Sequence, residues 1–328
     1  MKYVNLPMST TERLPFYLAT EEFLALRYPE DEYFFMWQVN PTVIFGRNQL
    51  IENEVNLDYV KSHKIQFYRR KSGGGCVYAD YSNIMFSFIT PYFNTNYVFD
   101  EYLNKVADVL KSLGLPAAFS GRNDILIGAL KVSGNAFYRV NNRSVVHGTM
   151  LYDTDLEAMV KAITPNNEKL VSKGIDSVRK RVTNLREHFN MPIEDFKRYM
   201  HDHLCDQDIV LTDRDVEEIR KIEEGYLELD FIYGKNPSYS VTRKGRVQAG
   251  YLEISLELKN NKVKKINMLG DYFLISDPDV FLHRLVGIDF TKAAFETALK
   301  EINLAEYVYN LDTTAFLDIM FKAEANKL

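Results

Sequence analysis

Cysteine is scarce, tryptophan scarcer, and long apolar runs are missing. Cys76 and Cys205 are the two cysteines in 328 residues. They allow neither a disulfide framework nor a cysteine-rich zinc pattern, and a reducing compartment fits. No stretch reaches the roughly 18 uninterrupted apolar residues of a membrane span. The opening Met1-Lys2-Tyr3-Val4-Asn5-Leu6-Pro7 has no signal-like apolar core. Positive charge is also in deficit: a net charge of −5 lacks the basic field that non-specific nucleic-acid binding draws on. The expectation is a soluble cytoplasmic protein with no membrane and no nucleic-acid partner.

Apolar residues make up 46% and aromatics 13%, which indicates a globular chain rich in β-structure. Its length suits one large domain plus a small one. The stretch with most chemistry is Arg69-Arg70-Lys71-Ser72-Gly73-Gly74-Gly75-Cys76-Val77-Tyr78. Strand-like segments flank it, Ile65 to Tyr68 before and Asn83 to Ile89 after. Glycines allow positive φ and close approach to a ligand. Successive N–H groups in such a bend form an anion nest, and neighbouring cations supply countercharge. A plain glycine turn with solvated cations is the competing reading. A P-loop is excluded, because Gly75 runs into Cys76-Val77-Tyr78 instead of Lys-Ser/Thr and a helix. A dinucleotide fingerprint is excluded for the same lack of a following helix.

Thr10-Thr11 are expected to cap a helix carrying Phe16, Ala19, Phe23, Leu24 and Leu26. Residues 33–37 and 42–46 read as strands, and Trp37 reads as a core aromatic. A helix near 100–113 is expected to stop at Gly114. Next comes Gly121-Arg122-Asn123-Asp124, a strand over 124–127, and Lys131 among small and apolar residues. That lysine is either an edge-strand charge or a half-buried cation awaiting an anion. Residues 137–140 and 145–151 form a hairpin about Asn141-Asn142, with Lys131 and His147 toward its open end. A helix over 155–163 follows, then the basic run 173–185, which is either a solvated turn or a flap closing on an anion. Helical patterns at 193–205 and 212–224 are expected to end at Gly225. Leu252, Ile254, Leu256 and Leu258 alternate with polar residues as a half-exposed strand, Asn260-Asn261 turns to 263–268, and helices opening at Asp277-Pro278 and near 290–301 and 312–324 complete a small α+β unit.

Four of these segments stand in the order found in lipoate–protein ligases: residues 69–75, 121–124, 131–134 and 173–185. His147-Gly148-Thr149 and Tyr233-Gly234-Lys235-Asn236-Pro237 match as well, so the chain resembles that family over nearly its whole length. The resemblance implies an α/β (α+β) fold. It has a large catalytic domain of mixed sheets and flanking helices shared with biotin ligases, residues 1–244, and a small α+β accessory domain, residues 245–328. It implies lipoate activation with ATP and Mg²⁺ to lipoyl-AMP. Transfer then follows to one lysine of an apo lipoyl carrier domain, in a 2-oxoacid dehydrogenase E2 subunit or a glycine cleavage H protein. A monomer is expected.

By the same resemblance Lys131 is the catalytic lysine bridging α-phosphate and lipoyl carbonyl. Arg70, Ser72, Gly73, Gly74, Gly75, Cys76, Val77 and Tyr78 are nucleotide and acyl-adenylate contacts. Asn123, Asp124, Ser133, His147, Gly148, Thr149, Lys173 and Arg179 complete the binding set, with Asp124 also the candidate Mg²⁺ ligand. Tyr78, Phe86 and Val132 are candidates for an apolar slot. The physics agrees: a cation about 4 Å from each of two repelling acids offsets roughly 4 kcal/mol per contact at an effective dielectric near 20. Cys76 stands where relatives have a small residue, Ala79 where many have histidine, and Phe231 near a tryptophan position. Two alternatives remain, an acyl-carrier transferase working through a cysteine thioester and a non-catalytic carrier-binding protein.

Overall fold

The computed structural model describes residues 1–8, 10–28, 30–49, 51–91, 95–163, 178, 180–233, 241–259 and 262–321, with the backbone alone at 52–53 and 95–97. It has two compact units. The first comprises Met1–Phe45, Ile51–Arg70 and Cys76–Tyr233; the second comprises Gly46–Leu50, Lys71–Gly75 and Gly234–Leu328.

The large unit is built on a mixed sheet whose strands are β1 (Lys2–Asn5), β2 (Tyr33–Trp37), β6 (Asn83–Thr90), β7 (Ala117–Phe119), β8 (Asp124–Ile127), β9 (Leu130–Val140), β10 (Arg143–Leu151) and β11 (Gln207–Val210). Their spatial order is β11-β1-β2-β6-β10-β9-β8-β7. β1 runs parallel to both its neighbours, and every other pairing is antiparallel. A second sheet, β4-β3-β5, joins β3 (Thr42–Phe45), β4 (Gln66–Arg69) and β5 (Val77–Ala79).

Helix α1 (Leu14–Arg27) is buried on nearly every side, as an apolar helix enclosed by other elements must be. It packs with Trp37, Met85, Ile89, Tyr138, Val140 and Val145 on one face of the large sheet. The helix Thr95–Ser112 covers the opposite face, where Tyr102 stacks on Phe88 at 4.6 Å and Phe99 meets Phe137 edge-on at 5.2 Å. Gly114 follows it at φ 82° and stops it.

Two helix boundaries correct the sequence reading. Thr10-Thr11 do not cap α1: it begins at Leu14 with Pro15 in its first turn, and its flanking residue Arg13 makes no side-chain cap. Proline is pre-organised for that position and needs no N–H there. Gly225 does not end its helix, which runs Asp213–Leu227 under a Thr212/Asp215 capping box. The Asn260-Asn261 turn lies outside the described residues.

The small unit contains a meander, β12 (Val241–Val247), β13 (Gly250–Lys259) and β14 (Lys262–Gly270). Leu252, Ile254 and Leu256 face its core with Phe295, Leu299, Phe316 and Leu317 from the helices Lys292–Leu299 and Thr313–Phe321. At Gly245 a Cβ would stand 2.8 Å from Ile319, so that strand position takes no side chain because a helix occupies the space.

Ile254 is fully buried. Ile254→Ala is expected to remove about 2–5 kcal/mol from the small unit, read as a lower urea midpoint of the full chain at unchanged slope.

Candidate active site

Two of the three glycines of the loop are held to glycine by the fold, and the third is not. At Gly73 a Cβ would lie 2.0 Å from the Tyr272 carbonyl oxygen, so close backbone approach inside the small unit forbids a side chain. Gly74 sits at φ 87° and donates its N–H to the same carbonyl at 3.1 Å. Around a Cβ at Gly75 there is nothing within 4 Å, and the residue is exposed. The ligand approach expected of all three therefore suits Gly75, while Gly73 and Gly74 hold the loop against Tyr272. Ser72 is buried, its carbonyl accepts the Arg47 N–H at 2.9 Å, and the Asn48 carbonyl accepts the Gly270 N–H at 2.8 Å.

Of the flanking cations, Arg69 is structural. Its Nε donates to the carbonyls of Phe231 at 2.9 Å and Ile232 at 3.0 Å, and its guanidinium lies over Phe45. Arg70 is buried and donates to the Ile44 carbonyl at 3.1 Å. Burial pulls its guanidinium down to about 10, against the neighbouring Cys76 and Glu54, so it remains a cation at neutral pH. Burial pushes the Cys76 thiol up, Glu54 adds to this, and Arg70 only partly opposes it. Since the thiolate is the nucleophile, this environment disfavours a cysteine mechanism. Cys205 is likewise raised to about 12, chiefly by burial. Val77 and Tyr78 point to opposite sides of β5: Val77 packs with Ile44 and Trp37, and Tyr78 with Val43 and Phe45.

Lys131 lies at the start of β9. Its ammonium is 2.7 Å from Asp124 Oδ1. A Cβ on Gly134 would stand 2.7 Å from the same nitrogen, so the ammonium crosses the sheet surface through the space a side chain would fill. The register sets Asp124 opposite Gly134 and Gly134 opposite Thr149, giving a row on one face. Alternation along β10 puts His147 on that face too, opposite Ala136. The Lys131 backbone is also held: its N–H donates to Arg181 O at 2.8 Å, and its carbonyl accepts from Thr183 N–H at 3.0 Å. The described end of the basic run thus pairs with the lysine that carries the charge. Lys173 and Arg179 lie outside the described residues, as does the stretch 234–240.

Other expected contacts fall on the opposite face and do a different job. Asn135 is the organiser there. Its Nδ2 donates to Asn123 O at 3.0 Å and to Ser133 Oγ at 3.0 Å, while Asn123 Nδ2 returns a bond to Asn135 O at 2.9 Å. A Cβ on Gly148 would stand 1.9 Å from Asn135 Oδ1, so Gly148 is glycine to admit that amide. Asn123, Ser133 and Gly148 therefore brace β8, β9 and β10 behind Lys131. Phe86 also lies on the far face, against Phe34, and does not share the surface of His147.

The sequence reading missed Asn135 and Glu21. Asn135 follows directly on the Lys131–Gly134 segment. Glu21 is a carboxylate within the apolar pattern of α1, fully buried, and it accepts from His147 Nδ1 at 2.9 Å. A charge inside an otherwise apolar helix pattern was the available signal. Among the described residues no group of three or more His, Cys, Asp or Glu gathers as a metal cage. Asp124, the expected Mg²⁺ ligand, is paired here with the Lys131 ammonium.

Residues 14–205 match the family model described as the lipoyl protein ligase A/B catalytic domain, and residues 236–320 match that of the bacterial lipoate protein ligase C-terminus. Lipoate–protein ligase 1 of Staphylococcus aureus is 37% identical over 312 residues, covering 92% of this chain and 95% of its own. LipL1 of P. falciparum, solved in complex with lipoate, is similar in fold, with a TM-score of 0.76 at 22% identity over 97% of each chain. A chain from the archaeal lipoylation system of Thermoplasma acidophilum, described as a bi-partite lipoate protein ligase and its E2 lipoyl domain, gives a TM-score of 0.65 at 25% identity. It covers 73% of this chain and 99% of that one.

The glycine loop can be checked by paired substitutions. Gly73→Ala is expected to cost about 1–3 kcal/mol in chemical denaturation, and Gly75→Ala under about 0.5 kcal/mol; equal losses would contradict the assignment of Gly73 to the Tyr272 contact. For the thiol, Cys76 is expected to alkylate at pH 8 more slowly than a free cysteine, as intact mass would report.

Proposed function

The chain belongs to the lipoyl protein ligase A/B family, and from that premise we propose that it is an ATP-dependent lipoate–protein ligase. The reaction has two steps. A lipoate carboxylate oxygen attacks the α-phosphorus of ATP, the bond to the β-phosphate breaks, and pyrophosphate leaves with lipoyl-AMP formed. The amine of a carrier lysine then attacks the lipoyl carbonyl, loses a proton, and AMP leaves.

The observation that carries this reading is the Lys131 ammonium laid across Gly134 at 2.7 Å from Asp124. Adenylation must bring together two anions that repel. A compact ammonium with three rotatable donors can serve a carboxylate and a phosphate oxygen together, and it stabilises the charge that develops as they join. Asp124 holds that ammonium in place before the acids arrive. Asp124 is the residue that would hold Mg²⁺, which would supply positive charge to the nucleotide phosphates. The bound ion would neutralise the departing pyrophosphate. Arg70, buried and cationic, and the open approach at Gly75 are assigned to the nucleotide. His147 and Thr149, on the Lys131 face, are assigned to the acyl acid.

Residues 1–244 are taken as the catalytic part and 245–328 as the accessory part. A separate C-terminus model, matching residues 236–320, supports two parts, although a cut at 244 would divide β12 (Val241–Val247), which belongs to the small unit. The carrier is an apo lipoyl domain, of an E2 subunit or an H protein. The archaeal relative, described with its E2 lipoyl domain, supports the first of these. The cysteine-thioester alternative finds no support in the raised Cys76 thiol.

Purified protein with ATP, Mg²⁺, lipoate and a panel of apo carrier domains should give one lipoyl mass shift per modified carrier. Lys131→Ala should lower pyrophosphate release by at least about 10²-fold. Retention of ATP-dependent lipoylation by that variant would remove Lys131 from the reaction.

A further inference from the structure

A line of buried side chains joins the small sheet β4-β3-β5 to the segment that holds Lys131, and the reaction above does not use it. Asn83, at the start of β6, is fully buried. Its Nδ2 donates to the Tyr78 carbonyl of β5 at 3.1 Å, and its Oδ1 accepts the Thr154 hydroxyl. The Thr154 N–H donates to Asn184 Oδ1 at 2.9 Å, and Asn184 Nδ2 donates back to the Thr154 carbonyl at 3.0 Å. Thr154 and Asn184 are both buried. A backbone carbonyl only accepts and a backbone N–H only donates, so the orientation of both amides is forced. Asn184 closes on Thr154 as one more rung of a strand pair would.

The next residue carries the line to the lysine. The Thr183 N–H donates to the Lys131 carbonyl at 3.0 Å, and the Lys131 N–H donates to the Arg181 carbonyl at 2.8 Å. Val182, between them, is the parallel bridge partner of Lys131. That hold matters because the ladder of β8 and β9 is irregular here: Ile125 faces Ser133, but Leu126 faces Lys131. A bulge disrupts the ladder locally, so β8 alone grips this residue weakly. Arg70 meanwhile follows β4, and its N–H is held by the Phe45 carbonyl of β3 at 3.0 Å. The two cations assigned to the reaction therefore stand on two different sheets, and Asn184 lies on the line between them.

We propose that Asn184 is a positioning residue for adenylation: it fastens the Lys131 backbone to the sheet that carries Arg70, so that the two cations keep one spacing. The inference rests on the ligase reading for its reaction and on these hydrogen bonds for its geometry. A misplacement of about 1 Å between reacting groups can cost about 10²-fold in rate. The Asn184 amide is committed to Thr154 and acts only through Lys131. The turn beyond it is tied separately, by the Arg186 N–H to the Tyr152 carbonyl at 2.9 Å, so the chain stays attached when the amide is removed.

The test uses the full chain. Asn184→Ala should lower kcat for lipoate-dependent pyrophosphate release about tenfold, with KM for ATP and for lipoate moving less than about threefold. Asn184→Asp keeps the size and the acceptor but loses the donor, so it should lose rate as Asn184→Ala does. Hydrogen exchange needs no substrate. In Asn184→Ala the Lys131 amide should exchange at least about tenfold faster, while residues 137–140 at the far end of β9 keep their wild-type rates. Should Asn184→Ala fail to fold, Thr154→Val decides, because it removes only the hydroxyl bond to Asn83. It should lower kcat about threefold at unmoved KM. An unchanged kcat in the variant that folds, a raised KM with kcat kept, wild-type rate in Asn184→Asp, or unchanged exchange at Lys131 would overturn the proposal. Absence of pyrophosphate release in the wild type would strike at the ligase reading instead, and the exchange of Lys131 would still judge Asn184.

Discussion

Lys131 can reach across the sheet because Gly134 has no Cβ, and Asp124 can meet it because β8 is registered so that Asp124 faces that glycine. A cation, a missing side chain and a carboxylate thus form one unit set by strand pairing. A slip of one residue between β8 and β9 would send the carboxylate to the other face. The remaining features of the large unit serve to prevent that slip. Asn135 ties the two strands through Asn123 on the far side, and residues 181–183 clamp the Lys131 backbone.

The sheet consequently has a working face and a bracing face. On the bracing face hydrogen bonds join Asn123, Ser133 and Asn135, while Asn135 Oδ1 stays buried without a hydrogen-bond partner among the described residues, and Tyr102 stacks on Phe88 beside them. On the working face a carboxylate is fully buried with donors around it. Partners of that kind make a buried charge tolerable and keep its neighbours in one orientation. One strand pair therefore carries rigid support and an adjustable cation on opposite surfaces.

Much of this could be read from the chain. Short aromatic and β-branched runs gave β2 and β3, alternation gave β8, and the Asn141-Asn142 turn gave the β9–β10 hairpin. The segments around Arg70, Asp124, Lys131 and His147 were legible because charged and small residues interrupt otherwise apolar strands. What could not be read was the side each residue takes. Ser133 and Lys131 are two positions apart, yet the irregular start of β9 and the long lysine chain part them, and Ser133 ends behind the sheet. Gly73 looked equivalent to Gly75 because the constraint on it comes from Tyr272, about 200 positions away in sequence. Glu21 stayed hidden because the side chains that bond to it, Ser87, Tyr138 and His147, come from three different strands. β12 was missed because its cations mask a strand supported by a helix.

The bond from Gly74 to the Tyr272 carbonyl gives the glycine bend a dependence that its own letters do not show. A shortened chain ending near residue 244 would keep every residue of the bend while deleting the backbone that shapes it. The bend is thus a joint product of two distant stretches of polypeptide. Grafting residues 69–78 into another scaffold would transplant a spelling without its grammar.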